Sequence, residues 1–310
     1  MENTRAKTTR NSLILLLTAT IWGMAFVSQS KGMDYMHPFT FNGVRSLIGA
    51  AGILVYILIS RKIAGDKAAK LDWKLNVRAG LLCGIFLTIA STLQQFGIKY
   101  TSVGKAGFIT TLYIIFVPMF GIFLKKKVAP VVWAAAGMAA VGMYLLCMTE
   151  SLRLGAGDIM VFLCAIAFAI QIMTVDHYAA RIDGAVVSCI QFTVCGVVCC
   201  IGALIWGQPT FGQLQEGLGA LLYAGVLSCG VGYTLQIVGQ KGLNPTVAAL
   251  IMSLESVIAT ISGWIAYKIG FLSTDQTLTP RQIAGCVIVF AAVILVQLPP
   301  EWFRFGKKNA

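Results

Sequence analysis

Charge is scarce in this 310-residue chain: only 12% of its residues are Asp, Glu, Lys or Arg, about half the roughly 25% of a soluble domain. So few charges cannot cover a water-exposed surface of this size. A soluble enzyme, a disordered regulator and a nucleic-acid-binding domain are therefore excluded. Histidine is almost missing, with only His37 and His177. No His-Glu-x-x-His stretch and no carboxylate cluster occurs, so no metal, no cofactor and no catalytic residue is assigned. The stretch Ser102-Val103-Gly104-Lys105-Ala106 has the Gly-Lys pair of a phosphate loop. However, Lys99 stands where that loop opens on glycine, and Ala106 where Ser or Thr would hold magnesium. ATP hydrolysis is not expected. The nine cysteines lie in apolar stretches, odd in number and without a C-x-x-C spacing, and read as small apolar fillers.

What is abundant is hydrocarbon, with 57% of residues hydrophobic and a mean hydropathy of +0.80. A membrane-crossing helix needs about 20 mostly apolar residues. Ten such runs fit the chain: 12–30, 39–60, 79–98, 105–124, 130–148, 157–178, 185–206, 217–240, 245–267 and 281–298. The fold class is all-α integral membrane. Residues 12–27 resemble a signal-peptide core, but no small-residue cleavage site follows, so the segment is expected to stay as the first span. The net charge of +12 would suggest nucleic acid in a soluble protein; here it reads as Lys and Arg holding loops in the cytoplasm. With the N-terminus inside, seventeen basic residues fall on the inner side and six on the outer (Lys31, Lys99, Lys105, Arg153, Lys268 and Arg281), with Arg45 inside a span. Both termini are expected in the cytoplasm, and the location is the cytoplasmic membrane.

The chain also resembles itself. An offset of 142 sets Thr92-Leu93-Gln94 on Thr234-Leu235-Gln236, Gly97 on Gly239, Lys99 on Lys241, Ala106 on Ala248, Ile109 on Ile251 and Leu112 on Leu254. A weaker match at offset 146 sets Ala19 on Ala165 and Trp22-Gly23 on Phe168-Ala169. Each half then holds five spans. An odd number reverses the second half, giving two inverted five-helix repeats over residues 1–150 and 151–310, the plan of many secondary transporters.

Five pieces carry a family resemblance: Ile21-Trp22-Gly23, Asn42 to Arg45, Ser102 to Pro118, its echo Asn244 to Thr260, and Arg281-Gln282-Ile283-Ala284-Gly285. In their order and spacing the chain resembles the drug/metabolite transporter superfamily, specifically its EamA-like members with two five-helix halves. The resemblance implies movement of small metabolites or drugs, most often outward, through a cavity between the halves. It departs in one place: the acidic residue such proteins often carry after spans four and nine is replaced after span four by Lys125-Lys126-Lys127.

An ionisable group inside a membrane helix faces a cavity or a partner. Glu255 lies about 15 Å into span nine at 1.5 Å per residue, near mid-membrane, on a face with Ala248, Ala259 and Ser262. It is too short to reach the interface. It either exchanges a proton during transport, pairs with a cationic substrate, or forms a structural pair with Arg45. Arg45, about 10 Å into span two beside Asn42, Gly49 and Gly52, reads first as structural. Gln94, within a stripe of Thr88, Ser91, Thr92 and Gln95, and Gln236, within a stripe of Tyr233 and Gln240, read as pathway walls. Ser188, Gln191 and Cys195 read as packing. Trp22 and Tyr113 are the first-ranked aromatic contacts, with Tyr233 and Trp264 behind them; Tyr113 takes the position of Glu255 at offset 142, so the two are placed to approach each other. Trp73, Trp133, Trp206 and Trp302 read as interfacial, and Asp176-His177 as a solvated helix end.

The expected function is transport of a small solute (an amino acid, an amine or a related metabolite or drug) by alternating access, with export as the expected direction. Its site comprises Glu255, Tyr113, Trp22, Gln94, Gln236, Tyr233 and Arg45. An importer of quaternary amines is the variant within this class, and a membrane-embedded enzyme on lipid-linked substrates the alternative outside it. Expected partners are the solute, the bilayer and protons as a candidate coupling ion, in a monomer or homodimer.

Overall fold

The structure, a computed structural model, describes residues 2–65, 71–124, 130–147, 155–272, 276–277 and 279–297. Lys67, Lys70, the run Lys125 to Lys127, Arg153, Trp302, Arg304, Lys307, Lys308 and the boundary between residues 150 and 151 lie outside them. Among the described residues every regular element is helical. The first seven helices are α1 (Glu2–Gly32), α2 (Pro38–Ala64), α3 (Trp73–Ile98), α4 (Val103–Thr111), α5 (Tyr113–Phe123), α6 (Pro130–Cys147) and α7 (Ala156–Ala179). The others are α8 (Gly184–Gly202), α9 (Phe211–Glu216), α10 (Leu218–Leu222), α11 (Tyr233–Gln240), α12 (Pro245–Met252), α13 (Glu255–Lys268) and α14 (Pro280–Gln297). A wide π-helical segment, Tyr223–Gly232, joins α10 to α11, and a short one, Ala203–Gly207, extends α8.

Eight continuous stretches are long and apolar enough to cross a bilayer: Thr8–Gly32, Pro38–Ala64, Trp73–Ile98, Val103–Phe123, Ala156–Ala179, Gly184–Gly207, Leu218–Gln240 and Pro245–Lys268. The chain is a multi-pass membrane protein. α6 and α14 are shorter apolar helices that lie along each other, close enough that a Cβ on Gly142 would stand 2.8 Å from the Gly285 carbonyl. The helix starts agree with local chemistry. Ser102, Asp183 and Asn244 cap α4, α8 and α12 through their side chains, and Pro38 and Pro245 occupy first-turn positions where no N–H is needed. α3 begins six residues before the range read from hydropathy. Asp72 caps it there and its basic first turns leave the apolar run, with Trp73 exposed at the end.

The helices sort into two groups, each drawn from both ends of the chain. α7 packs on α3, α4 and α5, while α1 packs on α11, α12 and α13; the groups meet where α4 packs on α13 and α5 on α12, and α2 with α8 flanks both. Lipid offers no hydrophobic drive between helices, so close backbone approach at small residues holds such contacts. Gly97 and Gly157 meet between α3 and α7, where a Cβ on either would stand 2.8 or 2.9 Å from the other's carbonyl. Gly23 meets the Glu255 carbonyl in the same way at 2.7 Å. Thr101 Oγ1 and Lys105 Nζ both donate to Asp158 (2.9 and 2.6 Å), pinning α4 to the first turn of α7.

Candidate functional site

Two of the long helices are interrupted at matching places. The amide of Leu112 reaches back three residues, to the Ile109 carbonyl (3.2 Å), and that of Leu254 to the Ile251 carbonyl (3.3 Å). Each tightened turn releases the carbonyl one residue earlier, and a hydroxyl takes it up: Thr111 Oγ1 donates to Phe108 O (2.9 Å) and Ser253 Oγ to Leu250 O (2.7 Å). All four pairs of positions (108 and 250, 111 and 253, 112 and 254, 113 and 255) differ by 142. Tyr113 and Glu255 therefore open α5 and α13, the second members of the two broken helices. Discontinuous helices of this kind build the solute sites of many transporters.

The two side chains meet. Tyr113 Oη donates to Glu255 Oε1 at 3.0 Å, with both groups buried. They face a cavity in which about 40 Å³ admits the centre of a water molecule. The space therefore holds a few waters, since one needs about 10–15 Å³ by that measure; a solute would need the walls to part. All seven residues singled out from the sequence line it: Trp22, Arg45, Gln94, Tyr113, Tyr233, Gln236 and Glu255. Trp22 and Tyr233 lie ring to ring at 4.5 Å, and Phe192 meets Tyr233 edge-on at 5.0 Å. Only a glycine at 232 lets Trp22 in, because a Cβ there would stand 2.7 Å from the indole nitrogen.

Arg45 and Glu255 line this one cavity without pairing. Ion pairs among the described residues are Lys31–Asp34 and Lys105–Asp158. Arg45 is 5% exposed, its Nε donates to Asn42 Oδ1 at 2.9 Å, and its guanidinium lies 5.4 Å from the Phe41 ring centroid. Asn42 in turn donates to Ser91 Oγ at 3.0 Å. The rest of the face drawn for Arg45 divides: Gly49 packs against Cys229, while Gly52 is exposed.

The polar stripes also divide. On α3, Ser91 and Gln94 reach the cavity, but Thr88 turns back to the Gly84 carbonyl (2.6 Å). Gln94 Nε2 donates to Thr110 Oγ1 (3.1 Å). Trp264 is half-buried away from the cavity. The cysteines are not uniformly plain fillers: Cys195 Sγ lies 3.4 Å from both Ser46 Oγ and Ser91 Oγ, and Cys199 Sγ 3.5 Å from Asn42 Nδ2, because polarisable sulfur also accepts from hydroxyl and amide donors.

Sequence reasoning missed Gln29 and Gln171, both cavity-lining. Gln171 centres a polar cluster, exchanging amide contacts with Gln236 (3.2 and 3.5 Å) and donating to Gln191 Oε1 (3.4 Å). Gln191, read as packing, is part of that cluster. The signal was available: offset 142, applied to α1, sets Phe26 on Phe168 and Gln29 on Gln171, and all four line the cavity. The offset of 146 used there conceals it.

A family model described as the EamA-like transporter family matches the chain twice, over residues 10–148 and 155–298. An uncharacterized transporter of Archaeoglobus fulgidus is 27% identical over 92% of this chain and 84% of its own length. The uncharacterized transporter YwfM of Bacillus subtilis is 24% identical over 94% of each. A solved crystal structure shares the fold, with a TM-score of 0.73 over 96% of this chain and 99% of its own at 16% identity. With the family model covering nearly the whole length, the chain belongs to the EamA-like family of the drug/metabolite superfamily, whose members are transporters and not enzymes.

Proposed function

We propose that this chain carries a small solute bearing both a cationic and an anionic group, of the amino-acid type, across the cytoplasmic membrane by alternating access and without ATP. One observation carries the reading: a basic and an acidic side chain, Arg45 and Glu255, both buried, line the same cavity without pairing with each other. Two such charges are retained in an apolar bundle when a ligand completes them. Arg45 and its Asn42 brace receive the carboxylate; Glu255, Tyr113 and the aromatic faces of Trp22 and Tyr233 receive the ammonium. Gln94 and Gln236 are polar walls.

Ten spans in two inverted repeats, 1–150 and 151–310, fit the double family match and the paired helix breaks. The bias of basic residues supports both termini in the cytoplasm. The bodies that rock are the two mixed groups, α3–α5 with α7 and α1 with α11–α13, which meet along α4–α13 and α5–α12. Family habit favours export. Trp22 tilted against Tyr233 favours a second reading, uptake of a quaternary amine.

The test is flux into proteoliposomes of purified protein, with and without a pH gradient, using zwitterionic amino acids, their carboxamides and choline. Saturable flux of the zwitterions alone is expected. Equal flux of carboxamides, or of choline, removes Arg45 from recognition and supports the amine reading; flux no greater than in empty liposomes overturns both. A rate that follows the pH gradient and is lost in Glu255→Gln assigns proton coupling to that carboxyl.

A further inference from the structure

Gln171 and Gln236 line the cavity, and each amide faces the other (Gln236 Nε2 to Gln171 Oε1 3.2 Å, Gln171 Nε2 to Gln236 Oε1 3.5 Å). Gln171 belongs to the group of α3–α5 and α7, and Gln236 to the group of α1 and α11–α13, so this clasp ties the two groups together. Behind it, toward the end of the bundle where Asn11 Nδ2 donates to Lys241 O (2.7 Å) and Lys241 Nζ to Ile182 O (3.2 Å), stand buried polar atoms with no protein partner. They are Ser188 Oγ, Gln191 Nε2, and Oε1 and Nε2 of Gln240, on side chains at most 1% exposed. None of these residues lines the cavity. Buried polar atoms are nearly always bonded, and a dry helix contact needs none of them. A column of them running from the cavity floor to a bundle end is the lining of a passage that is shut.

At the other end the corresponding positions are arranged differently. Offset 142 sets Gln29 on Gln171 and Gln94 on Gln236. Gln94 donates instead to Thr110 within its own group, and the two groups are joined here by Gln95 Nε2 of α3 donating to the Gln29 backbone carbonyl of α1 (3.2 Å). Gln29 Oε1, Gln95 Oε1 and Thr40 Oγ1 are left without protein partners. In an inverted repeat the two transport states exchange the conformations of the halves.

Resting on the transport reading above, we propose that the Gln171–Gln236 clasp is the gate that closes the cavity toward the Asn11–Lys241 end. Ser188, Gln191 and Gln240 line the passage behind it.

The test is labelling by a membrane-impermeant methanethiosulfonate, applied to either face of vesicles and read per site by mass spectrometry. Ser188→Cys and Gln240→Cys report the passage, Thr40→Cys reports the opposite end, and buried Cys83 and Cys164 serve as internal controls. With the clasp intact, the two passage sites label slowly. Adding Gln171→Leu or Gln236→Leu raises both rates at least tenfold, from the face bearing the N-terminus only, and leaves Thr40→Cys, itself at a buried position, slow. Unchanged passage rates, a rise from both faces, or an equal rise at Thr40→Cys overturns the proposal. Should a leucine variant lose its monodisperse gel-filtration peak, Gln171→Asn and Gln236→Asn, which keep the amide but shorten its reach, carry the same comparison. Labelling needs no solute. The expected pattern in a chain that moves no zwitterion refutes the cargo and keeps the gate; flux without the pattern does the reverse.

Discussion

Tyr113 Oη donates to Glu255 Oε1 at 3.0 Å, and the two residues stand 142 positions apart, the offset that also relates Thr92-Leu93-Gln94 to Thr234-Leu235-Gln236. The bond joins the first residues of α5 and α13, each just past a tightened turn. A side-chain hydrogen bond contributes about 0.5–1.5 kcal/mol net. Tyr113→Phe is therefore expected to lower thermal stability by about 1 kcal/mol and to raise the solute KM severalfold. Glu255→Gln, which retains an acceptor for Tyr113, is expected to fold normally and to lose at least nine-tenths of flux. Melting curves and proteoliposome rates on the same preparations check both; full flux in folded Glu255→Gln would falsify its role.

Arg45 is held by Asn42, which is itself bonded to Ser91. Replacing Arg45 by Gln removes the charge and the planar fork that suits a carboxylate. Binding of zwitterionic solutes is expected to weaken by at least tenfold, while their carboxamides bind as before. Asn42→Leu, which frees the guanidinium without removing it, is expected to give the same pattern at a smaller amplitude. Ligand-induced thermal shifts over a concentration series measure both.

Gly97 and Gly157 leave no room for a methyl group, since the facing carbonyl would lie within 3 Å of it. Neither helix can give without moving backbone, and overpacking of this kind costs about 1–3 kcal/mol. Gly97→Ala and Gly157→Ala are each expected to lower the apparent melting temperature. The double variant is expected to show non-additivity, because one separation of α3 from α7 relieves both clashes.

Asp158 is 4% exposed and accepts from Lys105, Thr101 and the Gly155 amide. Asp158→Asn leaves Lys105 facing an amide and is expected to cost about 2 kcal/mol, below the 3–5 kcal/mol for a fully buried pair because Lys105 keeps some solvent. Asp158→Asn combined with Lys105→Met is expected to recover part of the loss in thermal melts; a double variant no better than the single one would assign the loss to Thr101 and Gly155.

His37 lies just before α2, against the rings of Phe39 and Phe96. Burial, with Lys99 nearby, holds its imidazole below the ordinary 6.5. The fold thus favours the neutral ring. Its contribution is fully present above that ordinary value and is lost as pH falls through the folded one, so melting temperature is expected to decline below about pH 6.5. The decline is modest because the ring is partly solvated. His37→Phe is expected to flatten the profile between pH 5 and 7 (about the range in which imidazole titrates); an unchanged slope would place its origin elsewhere.

Much of this molecule was legible before any folding. Hydropathy places the apolar helical stretches, because a bilayer-length apolar run must satisfy its backbone within itself; the ranges read as 157–178 and 245–267 are Ala156–Ala179 and Pro245–Lys268, though the break inside the second was not read from it. Depth and polarity picked seven residues that share one cavity. The sequence did not yield Gln171, since an amide in an apolar helix looks like helix glue until its neighbours are known.

By itself, then, the amino-acid order determined which segments enter the membrane, which groups are too polar to face lipid there, and which positions correspond at offset 142. Tertiary structure alone decided the company they keep. It set α7 with α3–α5 and α1 with α11–α13, gave Arg45 to Asn42 rather than to Glu255, and closed Gln171 on Gln236 while leaving Gln29 and Gln94 apart. The physical reason is reach. Hydrophobicity and helical rise act along one segment, whereas pairing depends on which backbones approach closely, and in lipid that is settled by small residues meeting across helices distant in the chain.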